Sequence, residues 1–206
     1  MGAPAFLYFD LGNVLVLFTV ERMCRQMAEA AGTDPAHIHQ LVFDSGLQRR
    51  FELGQITETE FYEQFCQGLG RWVDREALSQ AACDIFTLNS TIVPVLAGLY
   101  QAGYPLGILS NTCHAHWEHC RRRFRLLDEI FSVHALSYRL GAMKPDPAIF
   151  LAAARLARTG PERIFYTDDL PGHIAGAMAA GFDAVPYTDT PALVKELRRR
   201  GLRFNY

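Results

Sequence analysis

Neither sign of charge dominates the chain. Its 206 residues carry 20 Lys and Arg against 22 Asp and Glu, a formal net charge of −2. No strong overall field therefore draws it to nucleic acid or to an anionic membrane. Nor does it contain an apolar run of the ~18 residues that a transmembrane helix needs. The longest apolar stretch, Ala5 to Phe18, is interrupted by Asp10, Gly12 and Asn13. Cysteines are few: five, an odd number, with no pair spaced as Cys-x-x-Cys. That argues against a disulfide framework or a paired-thiol metal knuckle, and predicts mostly buried thiols in a reducing compartment. No basic residue precedes the apolar run at Met1-Gly2-Ala3-Pro4, so a secretory signal is not expected. Phe6 stands where myristoylation wants Ser or Thr. There is no internal repeat and no low-complexity tract. A cytoplasmic protein is the expectation.

What is present is an ordinary globular mix, with 50 % hydrophobic and 20 % charged residues. At roughly 150 residues per domain, the length suits one domain, or one domain with a modest insertion. Ala5-Phe6-Leu7-Tyr8-Phe9 reads as a buried strand ending in the loop Asp10-Leu11-Gly12-Asn13. From about Val20 to Phe86 the pattern is helical, with apolar residues at helix spacing (Met23, Met27, Ala30; Phe61, Phe65, Leu69). Start signals stand at Thr33-Asp34-Pro35 and Thr57-Glu58-Thr59-Glu60.

After Asn89-Ser90, strands alternate with helices. Strands are predicted at Leu106–Leu109, near Ile130-Phe131-Ser132-Val133, at Arg163–Tyr166 and at Ala184–Pro186. Helices are predicted over Ile92–Ala102, Ala115–Phe124, Pro147–Arg158, Pro171–Ala180 and Thr190–Arg200. Such alternation predicts an α/β fold with a Rossmann-like parallel sheet core and an inserted α-helical cap domain. The expected division is core over 1–17 and 88–206, with the cap over 18–87.

In such sheets, ligands sit outside the carboxyl ends of the strands. Predicted strands end at Asp10, at Ser110-Asn111 and at Asp168-Asp169, and Lys144 precedes a helix between the last two. Each has a plain reading, since Asp, Ser and Asn commonly cap helices and turns, and Lys144 suits solvated surface. Together they are complementary. Clustered carboxylates repel one another. A lysine and a hard cation such as Mg2+, which favours carboxylates and phosphate oxygens, would relieve that. The set suits phosphoryl transfer.

These residues resemble the haloacid dehalogenase superfamily over nearly the whole chain. The first motif is matched by Phe9-Asp10-Leu11-Gly12-Asn13-Val14-Leu15 and the second by Leu109-Ser110-Asn111-Thr112. The third is matched by Lys144-Pro145-Asp146, and the fourth by Thr167-Asp168-Asp169 with Ile174-Ala175-Gly176-Ala177 downstream. The resemblance implies Asp10 as nucleophile and an aspartyl-phosphate intermediate. It implies Mg2+ held by Asp10, the Gly12 carbonyl and Asp169, with Asp168 as a further ligand or a residue behind it. Ser110 and the Asn111 backbone would hold the phosphoryl group, and Lys144 would neutralise charge. The implied partner is a small phosphorylated metabolite, with no nucleic acid and no membrane, and the chain is expected as a monomer or homodimer.

One position departs from the pattern. Phosphatases of this family carry an acid/base aspartate two residues after the nucleophile, where this chain has Gly12. Losing such a group costs on the order of 10² to 10⁴ in rate. Asp-Leu-Gly-Asn-Val, Ser110-Asn111-Thr112 with His116, and Glu52-Leu53-Gly54-Gln55-Ile56-Thr57 resemble the branch of glucose-1-phosphate phosphatases. An anomeric phosphate needs less protonation on departure. His116, His114 or a water held by Asn13 are stand-ins for the missing acid; either histidine also reads as helix surface. Arg121-Arg122-Arg123 reads as a solvated face. Arg49 and Glu52 are candidates for reading the substrate, or an i, i+3 ion pair, in a stretch Phe43 to Glu52 expected between two cap helices. Two other readings stay open: a metal-independent 2-haloacid dehalogenase, and a weakly catalytic relative that binds a phosphorylated ligand. The adjacent pair Asp168-Asp169 speaks against a halide site.

Overall fold

The computed structural model describes residues 3–206. Met1 and Gly2, on which part of the reading of the N-terminus rests, lie outside them. In chain order the strands are β1 (Phe6–Phe9), β2 (Val16–Leu17), β3 (Thr87–Leu88), β4 (Leu106–Ser110), β5 (Val133–Leu136), β6 (Ile164–Asp168) and β7 (Asp183–Pro186). Five of them form one sheet in the order β5-β4-β1-β6-β7, and every pairing in it is parallel. A parallel sheet is covered on both faces, so its strands are apolar throughout instead of alternating. β1, β4 and β6 are buried at every position. Successive side chains still divide between two cores. Phe6, Tyr8, Leu109 and Tyr166 pack with Phe150, Ile174 and Phe182 on one face. Leu7, Phe9, Ile108 and Phe165 pack with Leu96, Trp117 and Leu197 on the other.

The register fixes where the chemistry goes. Phe9 lies opposite Ile108 on β4 and opposite Thr167 on β6. The carboxyl ends of the three central strands are therefore level, and Asp10, Ser110 and Asp168 arrive at one edge. From β1 the chain runs outward to β5 and then returns to β6 on the other side. That reversal beside β1 is the switch point where such sheets open a crevice.

Between β2 and β3 lie five helices: α1 (Val20–Ala31), α2 (Pro35–His39), α3 (Leu47–Glu52), α4 (Glu58–Leu69) and α5 (Arg75–Cys83). A π-helical turn, Gln40–Asp44, joins α2 to α3. Their starts are written locally. Asp34 accepts from the His37 amide, with Pro35 opening α2. Thr57 and Glu60 form a reciprocal capping box at α4. β2 pairs antiparallel with β3, and Asn89 donates to the Val14 carbonyl at 2.8 Å. The points where the chain leaves and re-enters the sheet layer are thereby tied together, a pairing that two-residue strands do not announce in sequence.

The remaining helices are α6 (Val93–Gln101), α7 (His114–Arg123), α8 (Leu126–Glu129), α9 (Ser137–Leu140), α10 (Pro147–Ala157), α11 (Pro171–Ala179) and α12 (Thr190–Arg199). The strand expected near Ile130–Val133 lies later, at Val133–Leu136. Phe131 is buried in the preceding turn, its ring 6.1 Å from that of Phe9, so its apolarity reflects packing and not strand structure. The stretch Phe43 to Glu52 is likewise not a connection between helices, because α3 occupies its second half. All five cysteines are buried and unpaired. Among the described residues no helix is long and apolar enough to cross a membrane.

Candidate active site

Asp10 follows the central strand and is 6 % exposed. Its Oδ1 accepts from the Leu11 amide at 2.7 Å and pairs with Lys144 Nζ at 2.8 Å. Burial pushes its carboxyl up to about 6, with Lys144 opposing and Asp168 adding to the rise. Lys144, expected at the surface on the plain reading, is instead 3 % exposed. Its Nζ also lies 2.6 Å from Asp168 Oδ2, 2.9 Å from the Tyr166 hydroxyl and 3.2 Å from the Leu109 carbonyl. Burial would lower the lysine pKa, yet Asp10 and Asp168 together raise it, so the ammonium stays charged.

Asn111 sets the height of that lysine. Its Nδ2 donates to the Lys144 carbonyl at 3.0 Å, and its Oδ1 accepts from the Lys144 amide at 2.8 Å. This two-point clamp joins the loop after β4 to the loop before α10 and uses the whole Asn111 side chain. Ser110, 2 % exposed, stands one residue earlier at the edge.

Asp168 and Asp169 are adjacent but face different surroundings. Asp168 is fully buried and accepts from Lys144, from the Tyr166 hydroxyl, from the Leu170 amide at 2.8 Å and from His173 Nδ1 at 3.0 Å. Burial alone would raise its pKa. The His173 hydrogen bond and the Lys144 charge outweigh burial and hold it well below the carboxylate range. Asp169 is partly buried, and its Oδ2 accepts from Asn13 Nδ2 at 3.3 Å. Burial leaves its carboxyl raised.

Tyr166 and His173 were not singled out in the sequence, though both had a signal. Tyr166 is two residues before Asp168 on one strand, hence on the same face. His173 sits in the first turn of the helix that follows Asp168-Asp169.

Asp10, Asp168 and His173 offer one atom each within 4.8 Å of one another. A cation already bridges the two carboxylates there, because Lys144 Nζ is in contact with both. Three carboxylates beside one ammonium still leave an excess of two negative charges at this edge. The carboxylates at this edge offer hard oxygens, from Asp10 and Asp168, with Asp169 next in the chain. That donor set fits a small divalent cation such as Mg2+.

Over this edge lies a pocket with about 440 Å³ of empty space, floored by Gly12, Ser110 and Asn111 and walled by Phe18, Phe43 and Phe86. Gln48, Glu52 and His116 supply polar groups to it. A second space of about 560 Å³, reaching into the helical segment, shares Met23, Gln48 and His116 with it. Gln48 Nε2 donates to Glu52 Oε1 at 2.9 Å. The His116 ring lies edge-on to Phe86 at 5.2 Å, and burial lowers its pKa to about 4. Arg49 forms no ion pair with Glu52 among the described residues; its guanidinium points outward to Met143 Sδ, 2.9 Å away. His114 is exposed and pairs with Glu58 at 2.6 Å. Arg121, Arg122 and Arg123 pair with surface acids.

The family model that matches residues 7–181 is that of the haloacid dehalogenase-like hydrolases. The chain belongs to this hydrolase family. Among curated relatives, a glyceraldehyde 3-phosphate phosphatase of Methanopyrus kandleri is 34 % identical over 97 residues, 46 % of this chain and 40 % of the relative. The chain thus matches well under half the length of that relative. A D-ribitol-5-phosphate phosphatase of Bacteroides thetaiotaomicron is 25 % identical over 182 residues, 85 % of this chain and 87 % of the relative. A family enzyme of Bacteroides thetaiotaomicron, solved with magnesium and inorganic phosphate, shares the fold at a TM-score of 0.82. It is 24 % identical, and the match covers 92 % of this chain and 98 % of that one.

Proposed function

We propose that this hydrolase is a Mg2+-dependent phosphatase acting on a small phosphorylated metabolite of the sugar-phosphate kind. The observation that carries the reading is Asp10. It is a buried carboxylate at the central strand end, fixed through one oxygen by Lys144 and the Leu11 amide. Its other oxygen receives no protein hydrogen bond among the described residues. That oxygen attacks phosphorus and forms an aspartyl-phosphate. Lys144 keeps Asp10 ionised and offsets charge on the phosphoryl group. Ser110 Oγ and the backbone at Asn111 hold the phosphoryl oxygens. Asp10, Asp169 and the Gly12 carbonyl hold the ion, with Asp168 behind them, locking Lys144. When bound, Mg2+ supplies electrostatic stabilisation to the transferring phosphoryl group. Residues 18–87 act as a cap that closes over the core 1–17 and 88–206 and excludes water. The names of the two curated relatives support the sugar-phosphate class. The excess negative charge at Asp168 and Asp169 disfavours a site that releases halide.

The test is release of phosphate from para-nitrophenyl phosphate and a panel of phosphorylated metabolites, with Mg2+ and with a chelator. Turnover is expected only with the metal. Asp10→Asn is expected to lower it on the order of 10⁴-fold or more. Turnover that survives both chelation and Asp10→Asn overturns the reading.

A further inference from the structure

The structure shows what occupies the space vacated at position 12. A Cβ built on Gly12 would lie 2.7 Å from Phe18 Cε1. The end of the ring lies where an acidic side chain there would begin, so such a side chain would need that ring to move. A proton for the departing oxygen has to come from another wall of the pocket.

Few groups around the pocket are able to give one. The Lys144 ammonium is shared among four oxygens. The Tyr166 hydroxyl lies behind it, and burial raises its pKa well above the ordinary phenol value. His116 is neutral near pH 7, its pKa lowered to about 4 by burial. Glu52 remains, and it lines the same pocket as Gly12 and Ser110.

Glu52 is held in place from both sides of the crevice. Ser137 Oγ lies 2.6 Å from the Glu52 carbonyl and accepts from the Thr112 amide at 2.9 Å, so one buried hydroxyl joins α3 to the loop after β4. Two residues on, a Cβ at Gly54 would collide with the Tyr138 carbonyl oxygen. Only glycine lets this turn sit so close to α9. From within α3, Gln48 hydrogen-bonds the carboxyl. Burial raises the Glu52 pKa, with Gln48, Lys144 and Arg49 opposing. The acid form therefore survives to higher pH than in an exposed glutamate.

Resting on the phosphatase reading, we propose that Glu52 is the catalytic proton donor to the leaving oxygen, from α3, which lines the same pocket as position 12. Asp10 attacks phosphorus and forms the new P–O bond. The ester P–O bond breaks and its electron pair stays on the ester oxygen. The Glu52 proton passes to that oxygen, the alcohol leaves, and Glu52 becomes a carboxylate. Water then hydrolyses the aspartyl-phosphate. Its oxygen joins phosphorus with one proton, the other proton returns to Glu52, and the bond to Asp10 breaks with its electrons on the aspartate.

The experiment compares kcat/KM of wild type and Glu52→Gln on ethyl phosphate and on para-nitrophenyl phosphate, with Mg2+ present. This parameter reads the steps through departure of the alcohol, and nitrophenolate departs without a proton. The loss on ethyl phosphate is expected to exceed the loss on the aryl ester by ~10²-fold or more. Equal losses on both overturn the proposal and leave Glu52 a packing or binding residue. The wild type gives a second readout that does not depend on a variant folding. Across aryl and alkyl phosphates its kcat/KM is expected to vary shallowly with leaving-group acidity, and a steep dependence overturns the assignment. Absence of Mg2+-dependent aryl-ester turnover in the wild type overturns the phosphatase reading, and this assignment with it.

Discussion

On the sheet side of the pocket, Asp10, Lys144, Tyr166 and Asp168 form one buried network in which each group bonds another. On the helical side, the wall is Phe18, Met23, Phe43 and Phe86, with Gln48 and Glu52 set among them and His116 of α7 beside them. That side shares an apolar core with the sheet layer, where Met23, Met27, Phe65 and Leu78 cluster with Leu7, Phe9 and Trp117, and polar contacts add to it. Ser137 meets the Glu52 carbonyl, His114 meets Glu58, and Arg123 meets Asp84 at 2.9 Å. A charged network in a low dielectric is costly to disturb, because every member depends on its partners. Exposed pairs such as His114–Glu58 contribute little. Asp10 is thus held by charged partners at the sheet edge, while the helical wall meets the sheet layer through apolar packing and exposed polar pairs.

The comparison can be broken most forcefully at Lys144. Lys144→Met removes the ammonium between Asp10 and Asp168 and is expected to cost about 3–5 kcal/mol in urea denaturation. A loss under ~1 kcal/mol would mean that the sheet edge is not held by this network. Next comes the pH dependence of Asp10. Its carboxyl rises from 3.8 to about 6 on folding, so the folded state holds that proton more tightly than the unfolded state. The stability it contributes is fully present below about 3.8 and is lost as pH rises through about 6. Asparagine mimics the neutral form. With a chelator present, Asp10→Asn is therefore expected to melt higher than wild type near pH 7, by ~3 kcal/mol at most, and level with it near pH 4. A wild type that is the more stable near pH 7 would show that the Lys144 pairing outweighs burial. The smallest effect belongs to the helical wall. Gly54→Ala, at a φ of +68 against the Tyr138 carbonyl, is expected to cost at least the about 1–2 kcal/mol of a left-handed φ. It is also expected to move the ratio of ethyl to aryl phosphate kcat/KM in the same direction as Glu52→Gln. An unchanged ratio would mean that the turn does not position Glu52.

Much of the sheet side was legible in the sequence because its signals are local. A buried apolar strand that stops at an acid, Phe9-Asp10, states its own geometry. So does Thr57 with Glu60 at the start of α4, where the cap is complete within four residues. The helical wall was less legible. Arg49 and Glu52 are close in sequence and were candidates for the same role, yet one turns outward to Met143 and the other into the pocket. Phe131 read as strand because burial and strand structure leave the same mark on a short apolar run.

The sequence by itself determined the α/β class, the order of the four motifs and the residue types delivered to the strand ends. These follow from periodicity and from side-chain chemistry within a few positions along the chain. Only the tertiary structure decided which of two adjacent aspartates locks Lys144, what lies against Gly12, and how Glu52 comes to line the same pocket as Gly12 and Ser110. The contact that anchors Glu52, from Ser137, spans 85 positions of sequence. Such a contact depends on the packing of α3 against the loop after β4, and no local pattern in either segment encodes it.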